Sequence, residues 1–175
     1  PSRYQVSGAF RQLGWQGSGV LPSVTGMSGE LNFDESRGEL NLRNQGAASV
    51  TLPGVFIAPL QFADLNARVN WTREAQGVAV DLGKIRFANA DVSGELSGRY
   101  RYVPGHAGLV DIQATLGRAP ASRVPAYLPL SIDHDTRSWL TQALRRGHAD
   151  GARLLLRGDL DHFPFADASK GNFEV

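Results

Sequence analysis

The sequence predicts a mainly β fold: a long antiparallel, curved sheet, groove-like or half-barrel, with one α-helix near residues 133–147. Three observations carry this. Apolar and polar residues alternate with period two through most of the chain, as half-buried strands require. Twenty glycines and nine prolines break that alternation into runs joined by turns. Only one stretch has apolar residues at helical spacing.

The strands follow in order. Tyr4, Val6, Gly8 and Phe10 alternate with polar neighbours. Leu31 and Phe33 alternate with Glu30, Asn32 and Asp34; after the turn Glu35-Ser36-Arg37-Gly38, Leu40 and Leu42 alternate with Glu39, Asn41 and Arg43. This is a hairpin with one apolar and one wet face. Val50 and Leu52 run up to the turn pair Pro53-Gly54. Leu60 and Phe62 set one phase, and Leu65, Ala67, Val69 and Trp71 continue it after a slip of one residue. Val78, Val80 and Leu82 likewise give way to Ile85 and Phe87. An uncorrected slip turns side chains to the wrong face, so β-bulges are expected near Ala63-Asp64 and near Gly83-Lys84. Val92 to Tyr102 and Val110 to Leu116 form two further strands around the turn Pro104–Gly108, and Tyr100 and Tyr102 share a phase.

The alternation stops at Arg118. Ala119–Pro125 suits a short helical turn or an irregular link. In Ser131–Gly147, Asp133 or Asp135 can cap a helix, Trp139, Leu140, Ala143 and Leu144 recur at helical spacing, and Gly147 suits the closing left-handed position. Trp139 is expected to pack back on the sheet. Strand signals resume with Leu154, Leu156, Gly158 and Leu160. The chain thus divides into a sheet segment (1–117), a helical insertion (118–150) and strands that continue the sheet (151–175). Both ends read as cut from a longer chain: Pro1 opens on a strand-like stretch, and Asn172–Val175 reads as the start of another strand.

Composition narrows the function. The apolar fraction of 42% and formal charge of +1 exclude disorder. Arg145-Arg146 is the only adjacent basic pair, so no nucleic-acid partner is expected. The absence of cysteine removes thiol chemistry and disulfides. No apolar run approaches the roughly 20 residues of a membrane-spanning helix. His106, His134, His148 and His162 do not pair at metal-ligand spacing, and no nucleophile elbow, phosphate loop or dinucleotide fingerprint occurs. Glu30, Glu39, Asp81 and Glu95 fall on the polar phase, where a solvated face explains them better than a catalytic pair. No catalytic residue, metal or cofactor is expected, and the chain reads as a non-enzyme.

A long one-faced sheet must cover its apolar side. A second sheet, closure into a barrel, and an open groove filled by lipid chains all satisfy this, and composition does not choose among them.

A resemblance does. Pro53-Gly54-Val55-Phe56 with Pro59-Leu60, Tyr127-Leu128-Pro129, Trp139-Leu140-x-x-Ala143-Leu144-x-x-Gly147, Arg157-Gly158-Asp159-Leu160-x-x-Phe163-Pro164-Phe165 and Gly171-x-Phe173-x-Val175, in this order, resemble the YhdP branch of the AsmA-like family. The resemblance implies a middle segment of an inner-membrane-anchored protein of the Gram-negative envelope. A repeating β-groove would cross the periplasm and move phospholipid to the outer membrane. Its partners would be phospholipid acyl chains and neighbouring groove repeats of the same polypeptide. Lining candidates are Leu31, Phe33, Leu40, Leu42, Val69, Val80, Leu96, Ile112 and Leu154. The competing expectation is a closed β-sandwich, a structural or protein-binding module with the same residues as its core.

Overall fold

The structure, a computed structural model, describes residues 4–18, 22–130 and 132–174. Pro1, Ser131 and Val175, which the sequence reading used at the chain ends and before the helix, lie outside the described residues. Seven strands run as an antiparallel meander: β1 (Gln5–Trp15), β2 (Ser23–Asp34), β3 (Arg37–Thr51), β4 (Leu60–Glu74), β5 (Gly77–Ala88), β6 (Ser93–Tyr102) and β7 (Leu109–Leu116). An insertion follows, with β8 (Ala119–Pro120), a 3₁₀ segment (Ala121–Tyr127), α1 (His134–Ala143) and β9 (His148–Ala149). The chain then returns as β10 (Arg153–Asp159), beside β7, and ends in β11 (Gly171–Glu174). The nine-stranded sheet has the linear order β1-β2-β3-β4-β5-β6-β7-β10-β11, so it does not close into a barrel.

Nor is it a sandwich. The second sheet is only the two-residue pair β8–β9, which cannot cover nine strands. The closed-module expectation is therefore overturned: among the described residues no second layer lies over the apolar face.

Local chemistry explains the hairpins. At the β2–β3 turn Asp34 Oδ1 accepts from the Ser36 hydroxyl (2.6 Å), the Ser36 amide (2.7 Å) and the Arg37 amide (2.9 Å). At the β5–β6 turn Asn89 Oδ1 accepts from the amides of Asp91 and Val92, a side chain standing in for a backbone turn. The ring of Trp71 lies across Gly38 on the neighbouring strand; a Cβ there would come within 2.1 Å of it. That opening also brings Trp71 to 6.5 Å from Phe33, two strands away.

The bulge expected at Gly83-Lys84 is present: the β5–β6 register shifts between Leu82 and Ile85. The one expected near Ala63-Asp64 lies opposite that position, where β3 carries an extra residue between Gln45 and Ala48. Shifts between Phe10 and Leu13 in β1 and between Thr25 and Gly29 in β2 were not anticipated.

The helix is shorter than the predicted 133–147. Asp133 caps it, accepting from the Thr136 amide at 2.8 Å, and it ends at Ala143. Gly147 is left-handed (φ 100°), but its carbonyl accepts from the Ala121 amide and ties the return chain to the insertion instead of closing the helix. Trp139 does not pack on the sheet. It is 65% exposed, and no residue of α1 is buried. Among the described residues, no helix is long and apolar enough to cross a membrane.

Candidate apolar sheet face

Strand residues alternate between faces, so register decides which side chains meet. At one level of the sheet Leu31 faces Leu40, Leu40 faces Val69, Val69 faces Leu82, Leu82 faces Gly98, Gly98 faces Ile112, Ile112 faces Leu156 and Leu156 faces Phe173. A second level runs Phe33, Gly38, Trp71, Val80, Tyr100, Val110, Gly158, Gly171. A third joins Gly29, Leu42 and Ala67, and resumes past the bulge with Ile85, Leu96, Ala114 and Leu154. These levels run across the strands, and nine strands at about 4.8 Å spacing span roughly 38 Å.

All nine lining candidates therefore fall on one face, and each is half-buried. Leu31, Leu40, Val69 and Ile112 share the first level, Phe33 and Val80 the second, Leu42, Leu96 and Leu154 the third. The bulges keep the phase constant: without the extra residue at Gly83-Lys84, Ile85 and Phe87 would turn to the other side. The same face also holds Trp71, Leu82, Tyr100, Val110, Leu156 and Phe173. Continuing the alternation strand by strand would have found them.

The deeply buried part is small. Val24, Met27, Ala48 and Leu65 form a cluster against which Phe10, Leu42, Val50, Phe62, Ile85 and Phe87 pack. It lies toward one end of strands β2–β5. Asn44, 3% exposed on the same face, is satisfied: its Oδ1 accepts from the Ser28 amide (2.6 Å) and its Nδ2 donates to the Gly46 carbonyl (3.4 Å). At the β1 edge the apolar face runs out uncovered, with Val6, Leu13 and Trp15 exposed; at the β11 edge the Phe165 ring lies over Gly158 and Gly171, and Phe163 packs on Phe165 and Phe173 with ring centroids 5.4 and 5.7 Å apart, leaving Phe173 partly exposed.

The opposite face is polar and internally paired. Asp81 faces Arg99, Arg99 faces Asp111 and Asp111 faces Arg157, with ion pairs of 3.6 Å between Arg99 and Asp81 and 3.0 Å between Arg157 and Asp111. Lys84 pairs with Glu95 at 2.7 Å beside a shallow depression of about 750 Å³ that Arg153, Leu155 and Glu174 also line. Among the described residues no three His, Asp or Glu side chains could hold a metal ion.

The two rims of the face differ. One carries the β2–β3, β4–β5 and β6–β7 turns and the segment after β10. There His106 contacts Asp161 at 2.6 Å, and the Ala107 amide, with His106, holds the Asp161 carboxyl below its usual range. Tyr100 donates to the Ala107 carbonyl at 2.8 Å, and burial pushes its phenol up. The other rim carries the insertion. Asp91 accepts from Arg123 and from the Tyr127 hydroxyl, both at 2.8 Å, and these bonds, Arg123's foremost, hold its carboxyl low. Asn89 Nδ2 donates to the Tyr127 oxygen at 2.9 Å, and the Leu130 amide donates to the Val55 carbonyl at 2.8 Å. The insertion is thus fixed beside the sheet, with Val55, Ile57, Leu130 and Trp139 exposed.

The sequence profile of the family described as YhdP protein matches residues 1–175. A protein of Escherichia coli (strain K12) named intermembrane phospholipid transporter YhdP is 27% identical over 175 residues, covering 99% of this chain and 14% of its own length. The chain therefore spans about one-seventh of that relative. No solved structure matches it.

Proposed function

Because the chain belongs to the YhdP family, we propose that it is one segment of an apolar β-groove that carries phospholipid between the inner and outer membranes. In this reading the whole protein is anchored in the inner membrane and spans the periplasm. Residues 1–117 and 151–175 form the groove bed, 118–150 form a rim, and further repeats of the same polypeptide extend the bed beyond β1 and β11. The segment works as a carrier surface and performs no chemistry.

One observation supports this above the rest: the nine candidate side chains share one face that no second sheet covers, in register across strands β2 to β7 and β10, and that face stays apolar out to both edges. An acyl chain on it gains roughly 0.8 kcal/mol for each CH₂ removed from water. A carboxylate in its path must be desolvated, which costs more than many such groups return.

The test places charge on the bed of the full-length protein. Leu40→Asp and Ile112→Asp are each expected to lower co-purified phospholipid, measured by mass spectrometry, by about tenfold or more. Gln113→Asp, one residue away on the polar face, is expected to leave it unchanged. Equal lipid in all three variants, with folding intact by circular dichroism, would refute the groove.

A further inference from the structure

We propose that Arg73 is the site on this segment that receives the phosphate of the travelling lipid, so that the headgroup rides along the rim of tight turns and not along the insertion rim. The inference rests on the groove reading above and adds to it an orientation and a phosphate-binding residue.

Arg73 continues the lining phase of β4. Trp71 faces Val80 and Arg73 faces Val78, which in turn faces Tyr102. The Arg73 amide donates to the Ser36 carbonyl at 2.6 Å, which fixes its backbone at the mouth of the β2–β3 turn. Among the described strand residues it is the one charged side chain on the apolar face. The other strand cations, including Arg37, Arg68, Arg86, Arg99, Arg101, Arg153 and Arg157, alternate onto the polar face. Its neighbours at this rim are already paired, Asp34 with Arg37 and Glu74 with Arg101 at 3.0 Å, whereas Arg73 forms no ion pair or side-chain hydrogen bond among the described residues.

An arginine at the edge of an oily bed can lay its stem on the apolar surface and hold its guanidinium in water. That planar fork matches phosphate oxygens. Trp71 and Tyr102 flank it on the same face, the aromatic-plus-arginine pattern that suits the level where lipid headgroups meet acyl chains. At the insertion rim Arg123 is held by Asp91 at 2.8 Å and Arg118 by Asp150 at 3.7 Å; the exposed Arg145 and Arg146 follow α1 and lie off the strands of the apolar face, among exposed Leu130 and Trp139 of the same insertion.

The experiment uses the full-length protein in dodecyl maltoside, which carries no phosphate. Two photoreactive lipids with the same diazirine-bearing acyl chains are compared, phosphatidylglycerol and the diacylglycerol that lacks the phosphate headgroup. The unsubstituted protein is expected to capture both, phosphatidylglycerol the better. Arg73→Gln is expected to lower phosphatidylglycerol capture by roughly tenfold while leaving diacylglycerol capture unchanged, and Arg73→Lys, which keeps the charge without the planar fork, to restore only part of the loss. Excess inorganic phosphate is expected to compete with phosphatidylglycerol alone. Loss of both lipids alike in Arg73→Gln, or of neither, overturns the assignment, since a merely solvated strand end gives no headgroup dependence. Capture of neither lipid by the unsubstituted protein overturns the groove reading itself, which the Arg73 result alone does not.

Discussion

Asp34 shows how one side chain fixes a strand pair. Its carboxylate gathers the hydroxyl and amide of Ser36 and the amide of Arg37, with the Arg37 guanidinium at 3.5 Å. The Ser36 bonds, the hydroxyl's first, lower its pKa from the ordinary 3.8 to about 2. The folded state thus prefers the charged form. Its contribution to stability is complete above 3.8 and is lost as pH falls from 3.8 through about 2. A carboxyl NMR titration is expected to show a midpoint near 2 for Asp34, with faster amide exchange at Ser36 and Arg37 below it. A midpoint near 3.8 would mean the turn does not hold the carboxylate. Asn44 is the complementary case: a polar group on the apolar face, tolerated because both ends of its amide are bonded to backbone.

At the scale of elements, what the sequence made legible is what depends on neighbours along the chain. Period-two alternation placed Leu31 and Leu40 on one face of one hairpin, and the slip at Gly83-Lys84 announced its bulge, because both follow from strand geometry alone. The shift at Arg11-Gln12 carries the same mark, since Phe10 gives way to Leu13 and Trp15 in the opposite phase, whereas the one at Thr25–Met27 does not, since Gly26 and the short polar residues beside it break the alternation. Arg73 is visible as the next member of the series Val69, Trp71, but a charged residue at a strand end reads as a solvated terminus until register places it on the apolar face. The insertion was misjudged for a different reason. Helical spacing of Trp139, Leu140, Ala143 and Leu144 implies a buried stripe, yet the insertion is tied to the sheet by the Asp91, Asn89 and Tyr127 bonds, and its helix is held within the insertion by Arg137, which donates to the carbonyls of Leu128 and Pro129. Polar anchoring leaves the tryptophan free. Trp139→Ala is therefore expected to change unfolding free energy by less than about 0.5 kcal/mol, as at other exposed sites, where a packed tryptophan would cost about 3–5. Urea denaturation decides between the two.

At the scale of the molecule, a conduit and a scaffold make different demands on the same residues. A scaffold adds local contributions. Leu40 in β3 and Ile112 in β7 lie four strands apart, roughly 19 Å, far enough for their effects on stability to add within about 0.3–0.5 kcal/mol. A conduit places them in series on one level, and a lipid must pass both. If each single aspartate leaves about a tenth of the transfer rate, barriers in series predict that the double variant retains about a twentieth, whereas independent losses would multiply to about a hundredth. Lipid transfer and urea unfolding measured on the two single variants and Leu40→Asp/Ile112→Asp in the full-length protein separate these outcomes. Additive stability with transfer near a twentieth identifies the face as a single path. A multiplied loss of transfer would mean that both aspartates raise one shared barrier, and that the two positions are not successive points on one route along the level shared by β3 and β7.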